Sequence, residues 1–538
     1  MPRPLAKTVI IVLAALITYI STVSLLRAVK PSLFVWSEED REDREWVATS
    51  TSWLDRKICH FFGLCGIAHV HFSFPSGGHG KALNQEPINS GDDQNWRLDW
   101  TVADGNLTDD AKFLEDIPEY VLEYAPLVHL FSGEEFWPGD IAEHLVYTTP
   151  QVNYTPVQGT WKHPSLHDLN ELNRWEMGRN VFLTSNDDVE DRPAWLGGEV
   201  NIPRPVPNQP DPEEPIPDDG PVNDENDDRG KWYDAGDWTK GAGARIDSED
   251  LEDSEHSFHA GELRKRYAGK PVRGGRSDAP AVLVLIDKGN DIVDAFWFYF
   301  YSYNLGNTVL NVRFGNHVGD WEHCMVRFYK GRPKALFLSA HTAGEAYSYE
   351  AIEKHGKRPI IYSATGTHAM YAAPGIHEYV LPWGLLHDQT DRGPLWDPLF
   401  NSHFYTYNYL TDTLQPSNLS PLAPTEWFYF NGHWGDKFYP LGDQRQYRFA
   451  GQYHYVNGPL GPRFKHLGRR KVCQGSFHKS CVIRNFIEEE KRANHWSGVG
   501  VGEEPEDEDL ESIMGRRASA LLLAQQRAAA AQLDRNDF

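Results

Sequence analysis

Apolar residues are spread along this 538-residue chain in three patterns, and each predicts a different element. From Thr8 to Leu26 there are 19 residues without a charge, long enough at about 1.5 Å per residue to cross most of a bilayer core. The run is longer than the apolar stretch of a cleaved signal and ends at Leu25-Leu26-Arg27 with no small-x-small site, so it predicts an uncleaved transmembrane signal anchor. Farther on, short runs of β-branched and aromatic residues recur at 281–286, 292–303, 320–329, 335–341 and 359–363, separated by Gly, Pro or Asn clusters. That is the pattern of strands. No helical pattern of about 10–15 residues alternates with them, so an antiparallel β-sandwich is expected instead of a doubly wound parallel sheet. The third pattern is a scarcity: eight prolines between Pro203 and Pro221 lead into Asp- and Glu-rich sequence, with too few apolar groups to offset the entropy of ordering the backbone.

These patterns divide the chain into a short tail (1–7), the anchor (8–26), a membrane-proximal stem (27–115), a first ordered part of an ectodomain (116–202), a disordered Pro-rich acidic insertion (203–262), a β-sandwich core (263–486), and an acidic linker with a C-terminal helix (487–538). The expected fold class is mainly β, an antiparallel β-sandwich ectodomain behind one N-terminal transmembrane helix. Basic residues stand on both sides of the anchor, Arg3 and Lys7 before it and Arg27 and Lys30 after it, and do not orient it. Only seven residues precede it, so the bulk of the chain is expected on its far side.

Charge sharpens this division. The net charge is −25, of which −13 falls in 211–255 and −6 in 503–509. The folded part is therefore only mildly acidic, and nothing in the balance favours nucleic acid, whose phosphates need clustered Lys and Arg. The acidic insertion lacks the Asp-x-Asp-x-Asp-Gly spacing of a calcium loop. Of the five cysteines, Cys59 with Cys65 and Cys473 with Cys481 are spaced as two short disulfide loops of an oxidising lumen, leaving Cys324 odd. Neither pair has zinc-ligand spacing. Asn-x-Ser/Thr glycosylation sequons occur at Asn106, Asn153 and Asn418.

The densest polar cluster is Asn316-His317-Val318-Gly319-Asp320-Trp321-Glu322-His323, opening a strand. Alternate side chains share a strand face, so Asp320 and Glu322 are expected together, with Cys324, Val326 and Phe328. Two desolvated carboxylates so close remain ionised only with something positive between them. A divalent cation is the simplest answer, with His317 adding a nitrogen, and His341 and His368 could complete a mixed N/O set that suits Mg, Mn, Ca or Zn without choosing among them. Gly319 would permit an unusual φ where the chain enters the strand. The trio could instead be a general acid/base pair with an orienting imidazole, yet no nucleophile, P-loop, His-Glu-x-x-His or dinucleotide motif accompanies it. A second His-x-Gly-Asp, His433-Trp434-Gly435-Asp436, reads as a tight turn with Asp436 bonding backbone amides.

Tyr301-Ser302-Tyr303-Asn304-Leu305-Gly306, the 316–323 and 339–344 runs, the 362–369 segment, 116–130, Gly133-Glu134-Glu135-Phe136-Trp137-Pro138 and Trp434-Gly435-Asp436 resemble the vacuolar protein sorting-associated family numbered sixty-two, known in fungi with plant relatives. The resemblance spans roughly Trp53 to Phe486 outside the insertion and implies a role in protein traffic to the vacuole. More distantly, the order of a tyrosine-rich strand, His-x-x-Asp-Trp-Glu-His, a Ser-x-His strand and a Thr-His turn is similar to the necrosis- and ethylene-inducing-like proteins. Those β-sandwiches carry a Gly-His-Arg-His-Asp-Trp-Glu heptapeptide that binds a divalent cation, and they recognise sphingolipid head groups. By that likeness His317, Asp320 and Glu322 would be ligands, and Asn304, where that family has Asp, a further one. Asn316, Val318 and Gly319 depart from the heptapeptide.

The expectation is a non-enzymatic sorting factor of the endomembrane system or vacuolar membrane, single-pass, with the bulk of the chain luminal. It would be held to the membrane by 8–26, with a cation site behind a surface for a glycan, glycolipid or cargo protein. The alternative is a metal-dependent hydrolase of a glycolipid or phosphoester using metal-bound water.

Overall fold

The computed structural model describes residues 50, 52–70, 116–157, 163–175, 178–206, 274–341, 343–379, 386–449, 451–473 and 482–487, with isolated positions between 14 and 30. The acidic insertion beyond 206, the linker and tail, Asn106 and Cys481 lie outside these residues. So does most of the expected anchor. Ala14, Thr18, Tyr19, Ser21, Thr22, Leu25 and Leu26 are described and helical, with the Thr18 and Thr22 hydroxyls each donating to the carbonyl four residues back at 2.8 Å. Among the described residues no helix is long and apolar enough to cross a membrane.

The predicted strand runs form the centre of the molecule. With β1 at Leu127–His129, they are β2 (Ala281–Gly289), β3 (Ile292–Asn304), β4 (His317–Tyr329) and β5 (Arg332–Ala340), followed by β6 (Ala343–Ser348) and β7 (Arg358–Ser363). Later come β8 (Met370–Tyr371), β9 (His387–Thr390), β10 (Leu395–Trp396), β11 (Ser402–Asn408), β12 (Thr413–Pro416) and β13 (Ile483–Arg484). Strands β2 to β6 are antiparallel neighbours. The β2–β3 turn has Asn290 and Asp291 at φ 54° and 61°, and the β4–β5 turn has Lys330 and Gly331 at φ 50° and 70°. Both are the positive-φ pairs that match strand twist in two-residue hairpins.

The sheet they build has eight strands, β12-β11-β2-β3-β4-β5-β6-β13. It is mixed where the sequence led us to expect an antiparallel one, because β11 joins β2 and β13 joins β6 in parallel. Parallel neighbours need a long crossover, and these partners are far apart in the chain. A second sheet of seven strands includes β7, β1 and β10, with Gly275–Arg276 and Arg204–Pro205 at one edge. The first residues of the expected insertion are thus an edge strand.

Both faces of the large sheet are covered. Leu283, Trp297, Tyr301, Val326 and Leu338 share one core with Val128, Ile361 and Trp396 of the second sheet. On the opposite face Val284, Phe298, Trp321 and Met325 pack with Trp427 and Trp434. Burial on both sides is why these strands read as continuous apolar runs without clean alternation.

The two His-x-Gly-Asp segments meet here. A Cβ on Gly319, whose φ is +66°, would lie 1.8 Å from the Trp434 carbonyl oxygen, and one on Gly435 would lie 1.8 Å from that of Val318. Two backbones therefore cross with no room for a side chain on either. Asp436 takes the Ser185 N–H at 2.6 Å and the Tyr439 hydroxyl, so it pins a distant strand and does more than close its own turn.

Cys59 and Cys65 form a disulfide, Cys473 is also disulfide-bonded, and Cys324 is free and buried. Asn153 and Asn418 are exposed. Gly435→Ala, which has no φ penalty and only the steric one, is expected to cost about 3 kcal/mol or more in a urea or thermal melt.

Candidate functional site

Strand β4 places Asp320 opposite Tyr301 and Glu322 opposite Tyr299 of β3. Each carboxylate is 5% exposed, and Cys324, Val326 and Phe328 follow them into the core between the two sheets. The shared face expected from strand alternation is present.

What stands against the carboxylates is a histidine. His368, in the turn between β7 and β8, has φ +54°, a left-handed conformation uncommon outside glycine. Its ring lies flat on Tyr301, 3.7 Å between centroids and 3° between planes. Nδ1 is 3.0 Å from Asp320 Oδ2, and Nε2 is 2.9 Å from the Phe136 carbonyl oxygen. Both partners are acceptors. Both ring nitrogens therefore donate, which requires an imidazolium. Nε2 is also 3.9 Å from Glu134 Oε1. Burial opposes the charge, but the Asp320 hydrogen bond and the Glu134 and Asp320 carboxylates outweigh it and hold the His368 pKa above its ordinary value.

The remaining carboxylates fit this arrangement. Glu134 takes the backbone N–H groups of Glu135, Phe136 and Gly366 at 2.9, 2.8 and 2.9 Å, and burial raises its pKa. Glu322 accepts from the Ser339 hydroxyl. Burial, then repulsion by Asp320, pushes its pKa up to about 7. The positive group that two neighbouring carboxylates demand is thus supplied by His368, and Glu322 relieves the rest of the repulsion by holding its proton more tightly.

The six candidate ligands find different partners within the chain. His341, also at φ +54°, turns Nε2 to Asp388 Oδ2 at 2.7 Å. Asp388 further accepts from Tyr371 Oη at 2.6 Å, Asn307 Nδ2 at 2.7 Å and Thr367 Oγ1 at 2.8 Å. Against burial, the His341 bond and these donors hold its carboxyl below the usual range. Asn304 gives its amide to the Gly315 carbonyl at 2.9 Å. His368 commits Nδ1 to Asp320 and Nε2 to the Phe136 carbonyl. Among the described residues no three His, Cys, Asp or Glu side chains gather as a metal-holding group.

His317 has one nitrogen left over. His317 Nδ1 lies 2.7 Å from the Gly319 carbonyl, so Nδ1 carries the proton and Nε2 is left with a lone pair. Burial lowers the His317 pKa and keeps it neutral.

Glu134, Tyr301, Asp388 and Thr367 had no role in the sequence reading. Glu134, Tyr301 and Thr367 stand inside motifs that carried the family resemblance, which was the available signal. Asp388, in His387-Asp388-Gln389-Thr390, had none.

Two outcomes follow from the charges. His368→Leu leaves Asp320 and Glu134 buried without a cation and is expected to cost about 3–5 kcal/mol by chemical denaturation. Glu322 has a raised pKa, so its contribution to stability is complete below pH 4.5, its unfolded value, and is lost as the pH rises to about 7. Glu322→Gln is therefore expected to remove that loss and to melt higher than the natural protein at pH 8, by on the order of 2 kcal/mol.

A family model for vacuolar protein sorting-associated protein 62 matches residues 289–437, a stretch that holds β3, β4, the His368 turn, Asp388 and the second His-x-Gly-Asp. Vacuolar protein sorting-associated protein 62 of Saccharomyces cerevisiae is 33% identical over 427 residues, 71% of this chain and 74% of that one. TDA6 of the same yeast, described provisionally as a vacuolar protein sorting-associated protein, is 36% identical over 423 residues, 71% of this chain and 75% of its own. Among solved structures, a crystal structure described as the non-toxic HaNLP3 protein has a TM-score of 0.16 at 14% identity, over 27% of this chain and 57% of that one, too low to bear on the fold. At 33% and 36% identity across seven-tenths of its length, with the matched stretch holding His368, Asp320 and Glu322, the chain belongs to the vacuolar protein sorting-associated protein 62 family.

Proposed function

We propose that this protein is a membrane-anchored, non-enzymatic factor of vacuolar protein sorting. Its two sheets would stack as a luminal sandwich that binds a glycan, glycolipid or cargo protein. The observation that carries the reading is the family: two relatives whose names refer to vacuolar protein sorting share 33% and 36% identity with most of the chain. Other features support it. The 8–26 run has the length of a membrane anchor, and the Cys59–Cys65 bridge suits an oxidising compartment. Asp320, Glu322 and Glu134 are 5%, 5% and 8% exposed and bonded to groups of the same chain, an arrangement that fixes three segments in place.

In cells lacking the protein, a soluble vacuolar hydrolase is expected to escape into the medium several-fold above normal. The full chain should restore its retention, and a chain without 8–26 should not. Normal retention in the deletion would contradict the proposal.

A second reading keeps a divalent cation on His317 Nε2, Asp320 and Glu322, favoured by the bare nitrogen at His317. Metal analysis of the purified protein, with melting in chelator beside it, separates the two. One equivalent of ion and a lower melting temperature in chelator would establish the cation. No bound ion and an unchanged melt would leave His368 as the sole counter-charge.

A further inference from the structure

The face of β4 turned away from Asp320 and Glu322 holds a basic cluster with no part in the sorting reading. Asp294 of β3 and Arg327 of β4 are register partners and form a bidentate pair, Nε to Oδ1 and Nη2 to Oδ2, both at 2.7 Å. Both side chains are completely buried. Lys288, also buried, gives Nζ to the Leu467 carbonyl at 2.7 Å and stands 3.8 Å from Asp294 Oδ2. A third cation, Arg469, has its guanidinium over the rings of Phe296 and Phe337 at 4.8 and 4.6 Å. Its Nε and Nη1 donate to the Val472 and Lys465 carbonyls at 3.1 and 3.0 Å.

The charges do not balance. Asp294 is matched by Arg327, and Lys288 is pushed down to about 7, first by burial and then by the neighbouring arginines against the pull of Asp294. Arg469 meets carbonyls and rings, and among the described residues no carboxylate bonds it, in a site where an unpaired ion costs several kcal/mol.

Donors are also left over at the same place. Arg469 Nη2 is sealed from solvent without a hydrogen-bond partner, and so are both ring nitrogens of the fully buried His323. His323 lies 5.6 Å from the Phe337 ring and 6.0 Å from the Phe296 ring, the two rings that carry Arg469. Any imidazole has at least one N–H. An unanswered guanidinium edge and an unanswered imidazole N–H thus share one aromatic box, and buried donors in native proteins nearly always have an acceptor.

We propose that Arg469 and His323 hold a single small monovalent anion of the halide class, chloride being the available one, which neutralises the basic cluster behind β4. One surplus charge and two donor groups match one monovalent ion. A sulfate or phosphate would bring more charge and more acceptor oxygens than this box can answer. A water would satisfy the donors and leave the charge standing.

The test is the melting temperature of the full-length protein at pH 7 and constant ionic strength, with chloride exchanged for gluconate, then for bromide and sulfate. Chloride and bromide are expected to raise it by about 2–4 °C in a saturable way, with sulfate and gluconate inert. The rise should vanish in Arg469→Gln and shrink in His323→Phe, and bromide should give an anomalous scattering peak beside both side chains. If Arg469→Gln does not fold, the natural protein, His323→Phe and the bromide peak still decide. A flat chloride titration, an equal response to sulfate or in the variants, or water alone at the site would overturn the proposal.

Discussion

His368 is charged because both of its ring nitrogens point at oxygen acceptors, and that one ring joins the paired strands β3 and β4 to the segment around Phe136. Nδ1 reaches Asp320 on β4, Nε2 reaches the Phe136 carbonyl, and the ring face lies on Tyr301 of β3. Glu134 then binds back to the Gly366 amide in the turn that presents the histidine. Each element of this loop depends on the next. Without the imidazolium, two carboxylates would be buried beside each other with that positive group gone.

Steric constraint reinforces the electrostatic one. Gly319 and Gly435 let two backbones cross within the space of a missing Cβ, which fixes where Asp320 starts relative to the segment ending in Asp436. Asp436 in turn holds the Ser185 amide. The two His-x-Gly-Asp segments are therefore unlike in role. One carries a carboxylate to His368 and the other ties down a strand, and they share the glycine because each is the other's neighbour.

Local features of this fold were legible in the sequence. The runs of β-branched and aromatic residues marked β2 to β5 and β7 closely, and strand alternation put Asp320 and Glu322 on the correct face. Gly319 was expected to take an unusual φ, and it does. Long-range features were not legible. Nothing near Asp320 says that a histidine 48 residues later stands 3.0 Å from its carboxylate. The mixed character of the sheet was hidden for the same reason, since β11 and β13 arrive from far along the chain. Glu134 and Asp388 look like ordinary surface acids until their partners, the Gly366 amide and the His341, Thr367 and Tyr371 side chains, are in place.

The protonation of the His368 ring is the central physical question. Nitrogen NMR of ¹⁵N-histidine-labelled protein, in chelator and above pH 6.5, reads both nitrogens of His368 directly. Nδ1 and Nε2 are both expected to be protonated there, with the ring titrating above a free histidine. A neutral His368 with one bare nitrogen, or a ring that titrates below 6.5, would contradict that expectation.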